Sequence, residues 1–154
     1  MKSRIRVEYF CIFFRFFRVL CSRRLGFRIF ILQKCIIDFG LEDQVALLGS
    51  MPYQEVDKHL RESTDLFFFT GKPAASGDRD GLPNVIIEAM VAGIPVLASS
   101  SGAVSEAIKP GFTGELLDPN QPKIWAQAVQ KITESPSYAD ELRKNAIDWV
   151  AQNC

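Results

Sequence analysis

The sequence predicts an α/β fold: a partial Rossmann-like parallel sheet with helices on both faces. Three observations carry that reading. Short apolar runs of strand length recur at Gln44–Gly49, Asp65–Phe69, Ile94–Ala98 and Glu115–Leu117. Between them lie stretches whose apolar residues repeat at helical spacing, the alternation that builds βαβ units. Positions 89–105 hold no charged side chain, as a strand and helix covered on both faces require.

In chain order, Ile31, Leu32, Cys35, Ile36 and Phe39 follow helical spacing, with Gly40 as the stop. Gln44–Gly49 is a buried strand by length. Pro52 opens a helix that places Tyr53, Val56 and Leu60 on one face. The strand at Asp65–Phe69 runs into a polar, glycine-containing loop from Thr70 to Asp80. Pro83 suits the first turn of a helix reaching about Ala92, and Gly93 ends it. The strand Ile94–Ala98 leads through Ser99–Gly102 to a short helix near Val104–Ile108. Pro110–Gly114 reads as a turn and Glu115–Leu117 as a further extended piece. Two amphipathic helices follow. One turns Ile124, Trp125, Ala128, Val129 and Ile132 inward; the other, after Pro136, turns in Tyr138, Leu142, Ala146, Trp149 and Val150.

The 154 residues are one domain's worth of chain, enough to bury about 70% of the unfolded surface without staples. Eighteen basic and eighteen acidic residues cancel, which argues against nucleic acid as a partner. The cancellation is uneven. Residues 1–34 hold nine Lys or Arg and one acid, a net of +8, and residues 35–154 carry −8. The chain therefore divides into an atypical basic, aromatic-rich segment at 1–30 and an orderly α/β portion at 31–154. Within the first segment Arg15 and Arg18 break the apolar run, so it is neither a spanning helix nor a secretory signal. Two readings stand for it: a segment lying on an anionic membrane surface, or sequence foreign to the domain behind it. Cys11, Cys21, Cys35 and Cys154 form no C-x-x-C pair, which leaves reduced thiols in a cytoplasmic protein. His59, the single histidine, sits among charges on a helix and reads as solvated.

The chemistry concentrates after residue 77. Asp78-Arg-Asp-Gly-Leu-Pro83 turns into a helix start, where free N–H groups and the helix dipole favour an anion. Glu88 stands on that helix among Val85, Ile86, Ile87, Ala89 and Met90, a costly place for a carboxylate that nothing hydrogen-bonds. It lies about 7–8 Å along the axis from Pro83. A phosphate at the helix start and a hydroxyl-bearing group near Glu88 suit one nucleotide-sized ligand at the carboxyl edge of the sheet. A glutamate that merely reaches solvent from one stripe is the plainer alternative.

The stretch Asp80-Gly-Leu-Pro-Asn-Val-Ile-Ile-Glu-Ala-Met-Val-Ala-Gly-Ile-Pro-Val-Leu-Ala98 resembles the signature of group 1 (family 4) retaining glycosyltransferases of GT-B architecture. Asp80 and Glu88 take the places of that family's E-x7-E pair. Gly40–Ser50 is similar to the strand that walls the nucleobase pocket, and Glu106–Pro119 to the segment before the closing helices. The resemblance implies a nucleotide-sugar donor, UDP- or GDP-linked, whose glycosyl unit is transferred with retention and without an obligatory metal or other cofactor. It makes Asp80 and Glu88 the catalytic pair, Asp80 on sugar-ring hydroxyls and Glu88 on ribose hydroxyls. Backbone N–H groups of Gly81, Leu82, Pro83's neighbours Asn84 and Val85 would meet the diphosphate and sugar.

The sequence departs from the family in four respects. Asp80 is one methylene shorter than the usual glutamate, and Ser105 replaces a proline. No Gly/Arg/Lys arrangement precedes Gly40, and no acceptor-binding half is found. The expectation is thus a C-terminal donor-binding fragment, completed by a separate acceptor-domain chain or inactive alone, at the inner face of the membrane or in the cytoplasm. A non-catalytic nucleotide-sugar-binding or docking module, using residues 1–30 on a partner or membrane, is the other reading.

Overall fold

The structure, a computed structural model, describes residues 8–13, 16–21, 26–49, 51–70, 82–100 and 103–154. Six strands and six helices follow one another: β1 (Glu8–Phe13), β2 (Phe16–Cys21), α1 (Gly26–Asp38), β3 (Val45–Gly49), α2 (Tyr53–Ser63), β4 (Leu66–Phe69), α3 (Asn84–Val91), β5 (Val96–Ser99), α4 (Val104–Ala107), β6 (Glu115–Leu117), α5 (Pro122–Glu134) and α6 (Pro136–Asn153). The strands form one sheet in the order β3-β2-β1-β4-β5-β6.

The four strands expected from apolar runs are all present, and β4, β5 and β6 pair in parallel. The sheet has two further strands, both from residues 1–30. β1 runs antiparallel to β2 and to β4, and β2 pairs in parallel with β3. The sheet is therefore mixed around β1 and parallel elsewhere. No period-2 alternation marks β1 and β2, because nearly every position there is aromatic, aliphatic or arginine.

Local chemistry fixes the element ends. Gly40 (φ 64°) and Gly93 (φ 70°) take the left-handed conformation that stops α1 and α3. The Gly93 N–H bonds to the Met90 carbonyl, and that of Ile94 reaches back to Ala89. Pro122 and Pro136 occupy first-turn positions of α5 and α6, where a missing N–H costs nothing.

β4 divides the core by its alternation. Phe67 and Phe69 face one layer with Leu60 of α2, Ile86 and Met90 of α3, and Val96 and Ala98 of β5. Leu66 and Phe68 face the other, with Leu97, Leu117 and Ile132. Each fully buried Phe, Leu or Ile contributes about 1.5–3 kcal/mol through burial. α6 serves both layers: Ala139 and Leu142 pack on one face, Ala146 and Val150 on the other. Trp125 of α5 stacks on Phe68 with centroids 5.6 Å apart, and its Nε1–H donates to the Asp118 carbonyl.

Some inward assignments shift. Leu60 is the buried residue of α2 and Val56 packs partly, whereas Tyr53 is 61% exposed, because the helix's first residue lies beyond the packed turn. Ile124 of α5 is likewise an outer residue, and Ala139 replaces Tyr138 as the first fully buried position of α6. Cys35 and Cys154 are free thiols. No helix among the described residues is long and apolar enough to cross a membrane.

Candidate functional site

The described candidate site residues follow the carboxyl ends of β4 and β5. Phe69 and Ala98 are cross-strand partners, so the two strands end at nearly the same level, and Ser99, fully buried, closes β5 there. A parallel sheet places the following loops and helix starts on that edge, which is where open α/β sheets hold their ligands.

α3 starts at this edge. Pro83 (φ −64°, ψ 125°) is its N-cap and provides no side-chain cap bond. The Ile86 N–H turns back to the Pro83 carbonyl, while the N–H groups of Asn84 and Val85 precede the first intrahelical bonds. Among the predicted contact residues, Leu82 and Pro83 are half-buried and Asn84 is exposed. Val85 points its side chain into the core at 8% exposure, so only its backbone faces the edge. Asp80 and Gly81 lie outside the described residues.

Glu88 sits one turn further along, on the side of α3 away from the buried Val85, Ile86, Ala89 and Met90. It is half-buried. Burial first, and then the Asp57 carboxylate of α2, push its pKa above the usual glutamate range. Among the described residues it has no hydrogen-bond or ion-pair partner, in contrast to Asp57. The Arg61 Nε–H bridges both Asp57 oxygens, at 2.9 and 3.1 Å. A half-buried, acceptor-only group with unfilled lone pairs is suited to take hydroxyl donors.

Asp57 is a site neighbour that sequence reasoning did not single out. Its signal was positional: it stands between Val56 and Leu60, at the border of the inward stripe of α2, so it faces whatever α2 packs beside. His59 is half-buried rather than freely solvated, with Nδ1 3.5 Å from Ser63 Oγ. No group of three or more His, Cys, Asp or Glu side chains gathers as a metal-ligand set among the described residues.

The sequence profile of the glycosyl transferases of group 1 matches residues 31–149. The chain belongs to the group 1 glycosyltransferases. It is 32% identical over 103 residues to the amylovoran biosynthesis glycosyltransferase AmsK of Erwinia amylovora, covering 67% of this chain and 25% of that protein. Among solved structures, HepE of Anabaena in complex with UDP-glucose superposes with a TM-score of 0.73 at 23% identity, over 86% of this chain and 35% of that one. The C-terminal domain of the group 1 glycosyl transferase LpcC of Francisella tularensis superposes with a TM-score of 0.68 at 22% identity, over 85% and 64%. These likenesses establish the fold as the C-terminal, Rossmann-like part of a GT-B glycosyltransferase. The group 1 chain described here spans 25–27% of the length of the first curated relatives it matches.

Proposed function

We propose that this chain carries the donor grip of a retaining glycosyltransferase that builds polysaccharide, with residues 31–154 holding a nucleotide sugar. Glu88 accepts the ribose hydroxyls, Asp80 the hydroxyls of the sugar ring, and the backbone N–H groups between Gly81 and Val85 meet the diphosphate. In the reaction the bond from the anomeric carbon to the diphosphate breaks and a bond to an acceptor hydroxyl forms on the same face. A nucleoside diphosphate and one proton are released. The catalytic demand is the charge that develops on the leaving diphosphate, which oriented amides at a helix start are placed to stabilise.

The observation that carries this reading is Glu88: a half-buried carboxylate with no hydrogen-bond partner among the described residues, on a helix whose other side is sealed into the core. Burial without a partner costs free energy, and a hydroxyl-bearing ligand supplies the missing donors. A second acid, Asp57, adds to burial in opposing its ionisation. HepE, with the same fold, was solved with UDP-glucose, and UDP- and GDP-sugars are the donors to examine.

Isothermal calorimetry with a panel of UDP- and GDP-sugars tests the reading on protein whose fold is verified by circular dichroism. Binding that Glu88→Ala weakens about tenfold or more, the worth of one charge-assisted hydrogen bond, is the expected result. Folded protein that binds no nucleotide sugar overturns it.

A further inference from the structure

We propose, resting on the donor reading of Glu88, that Arg61 is a positioning residue of that site: it pins the Asp57 carboxylate, offsets its charge, and so sets the acidity at which Glu88 lets a nucleotide sugar go. The register of the sheet puts Asp57 and Glu88 at one depth. Gly49 pairs with Leu20, Leu20 with Tyr9 and Tyr9 with Phe69, so β3 and β4 end at the same level. α2 follows β3 and α3 follows β4, and both helices run back from that edge. Asp57 and Glu88 each stand four residues past the first residue of their helix, Tyr53 and Asn84, about 6 Å down the axis. The helices share a layer, where Val56 and Leu60 join Ile86, Ile87 and Met90 in one cluster. Each acid directly follows a residue of that cluster, Val56 or Ile87, and so lies beside the seam between the helices.

Two carboxylates so placed resist each other's ionisation, and Asp57 acts on Glu88 in that sense, second to burial. Arg61 stands one turn beyond Asp57, farther from the edge. Its Nε–H bridges both Asp57 oxygens, at 2.9 and 3.1 Å. That contact fixes the carboxylate and sets a cation beside it, and a neutral pair projects a weaker field than a lone charge.

The surrounding groups leave this role to the pair. Lys58 and Glu62 face each other on the exposed side of α2, and His59 turns to Ser63. Glu106 of α4, and Lys144 and Asp148 of α6, are exposed. The strands bring only apolar side chains to this layer: Phe67, Phe69, Val96 and Ala98. Among the described residues, Asp57 is the charge that acts on Glu88.

Two readouts on the full chain test this. Carboxyl-detected NMR follows the titration of Glu88 without ligand, its signal identified by loss in Glu88→Gln. Calorimetry at stepped pH follows the tightest binder of the UDP- and GDP-sugar panel. Arg61→Met keeps the stem and drops the charge, so Glu88 should take up its proton at higher pH than in the wild type. Where the wild type has lost half its affinity to acid, the variant should bind about twofold more weakly still, and the gap should close as pH rises. Arg61→Lys, which keeps the cation, should restore the wild-type profile. In an Asp57→Asn background Arg61→Met should lose its effect. Arg61 is exposed, and circular dichroism verifies each fold. A Glu88 titration that Arg61→Met leaves in place overturns the proposal, as does an equal loss of binding at every pH. A titration that moves in protein binding no nucleotide sugar overturns the donor reading instead, and the role in release with it.

Discussion

The Thr113 hydroxyl donates to the Ala107 carbonyl across 2.6 Å, in a hydrogen bond from which water is excluded. The same oxygen accepts the Lys109 N–H at 2.8 Å, so one side chain ties the end of α4 to the turn that feeds β6. Thr113→Val keeps the shape and removes both partners from two backbone groups. We expect a loss of about 2–4 kcal/mol, from two groups at 1–3 kcal/mol each with partial relief by water. Thr113→Ser, which keeps the oxygen, should cost under about half as much, and urea unfolding of the two variants measures the contrast.

Gly114 has no room for a side chain. A Cβ there would lie 2.6 Å from the Val96 carbonyl oxygen and 3.1 Å from Ile108 Cγ2. The obstructing oxygen belongs to the backbone of β5, which is fully buried and paired on both sides. It cannot swing away as a side chain would. Gly114→Ala should therefore destabilise by about 1–3 kcal/mol, the cost of overpacking, despite the smallness of the change. Thermal unfolding followed by circular dichroism reads it.

Glu88 gives a pH signature of defined sign. Its folded pKa is raised above the ordinary glutamate value of 4.5. Its stabilising share is therefore fully present below that value and is lost as pH rises through the folded one. Above that point the wild type carries a half-buried charge that Glu88→Gln lacks. The variant should be the more stable at pH 7, by less than ~1 kcal/mol because solvent screens the site. The gap should close as pH falls toward 4. Denaturant midpoints across that range decide it.

The same charge should govern the ligand. Only the ionised carboxylate is acceptor-only, so nucleotide-sugar binding should fade on acidification at a higher pH than an ordinary glutamate gives. Asp57→Asn removes the neighbouring negative charge that helps hold the Glu88 pKa up. Binding by that variant should persist to lower pH than in the wild type. Calorimetric titrations at stepped pH measure the displacement, and coincident profiles would count against any influence of Asp57 on the site.

Tyr138, Glu115 and Lys131 join α6, β6 and α5. The Tyr138 hydroxyl donates to Glu115 Oε1, and Lys131 Nζ reaches that oxygen at 3.3 Å while lying 3.8 Å from the centre of the tyrosine ring. Burial, and then the Glu115 hydrogen bond, push the Tyr138 pKa up. Tyr138→Phe should cost about 1.5–3 kcal/mol, the range for a hydrogen bond to a charged group. Lys131→Met, at an exposed position, should cost under ~1 kcal/mol. Urea midpoints of the two variants separate these effects.

Much of this was legible in residue order, because local rules governed it. Gly40 and Gly93 stop helices since only a left-handed residue turns the chain there, and β4 and β5 are strands since their apolar runs are too short to be helices. Glu88 stood out because carboxylates are rare in such apolar company. The pairing of β1 with β4 was not legible: it joins residues more than fifty positions apart, and no alternation marked either of the first two strands. Asp57 escaped for a similar reason, since its effect on Glu88 exists only once α2 and α3 lie on the same layer.

α6 closes both faces of the sheet, and that has a consequence for synthesis. Ala139 and Leu142 complete one layer and Ala146 and Val150 the other, so neither face is fully closed until these residues arrive. During translation, at about 5–20 residues per second, the strands and α2, α3 and α5 are made before the helix that completes both layers. Final closure of the two layers around β4 and β5 therefore waits until α6 has been made.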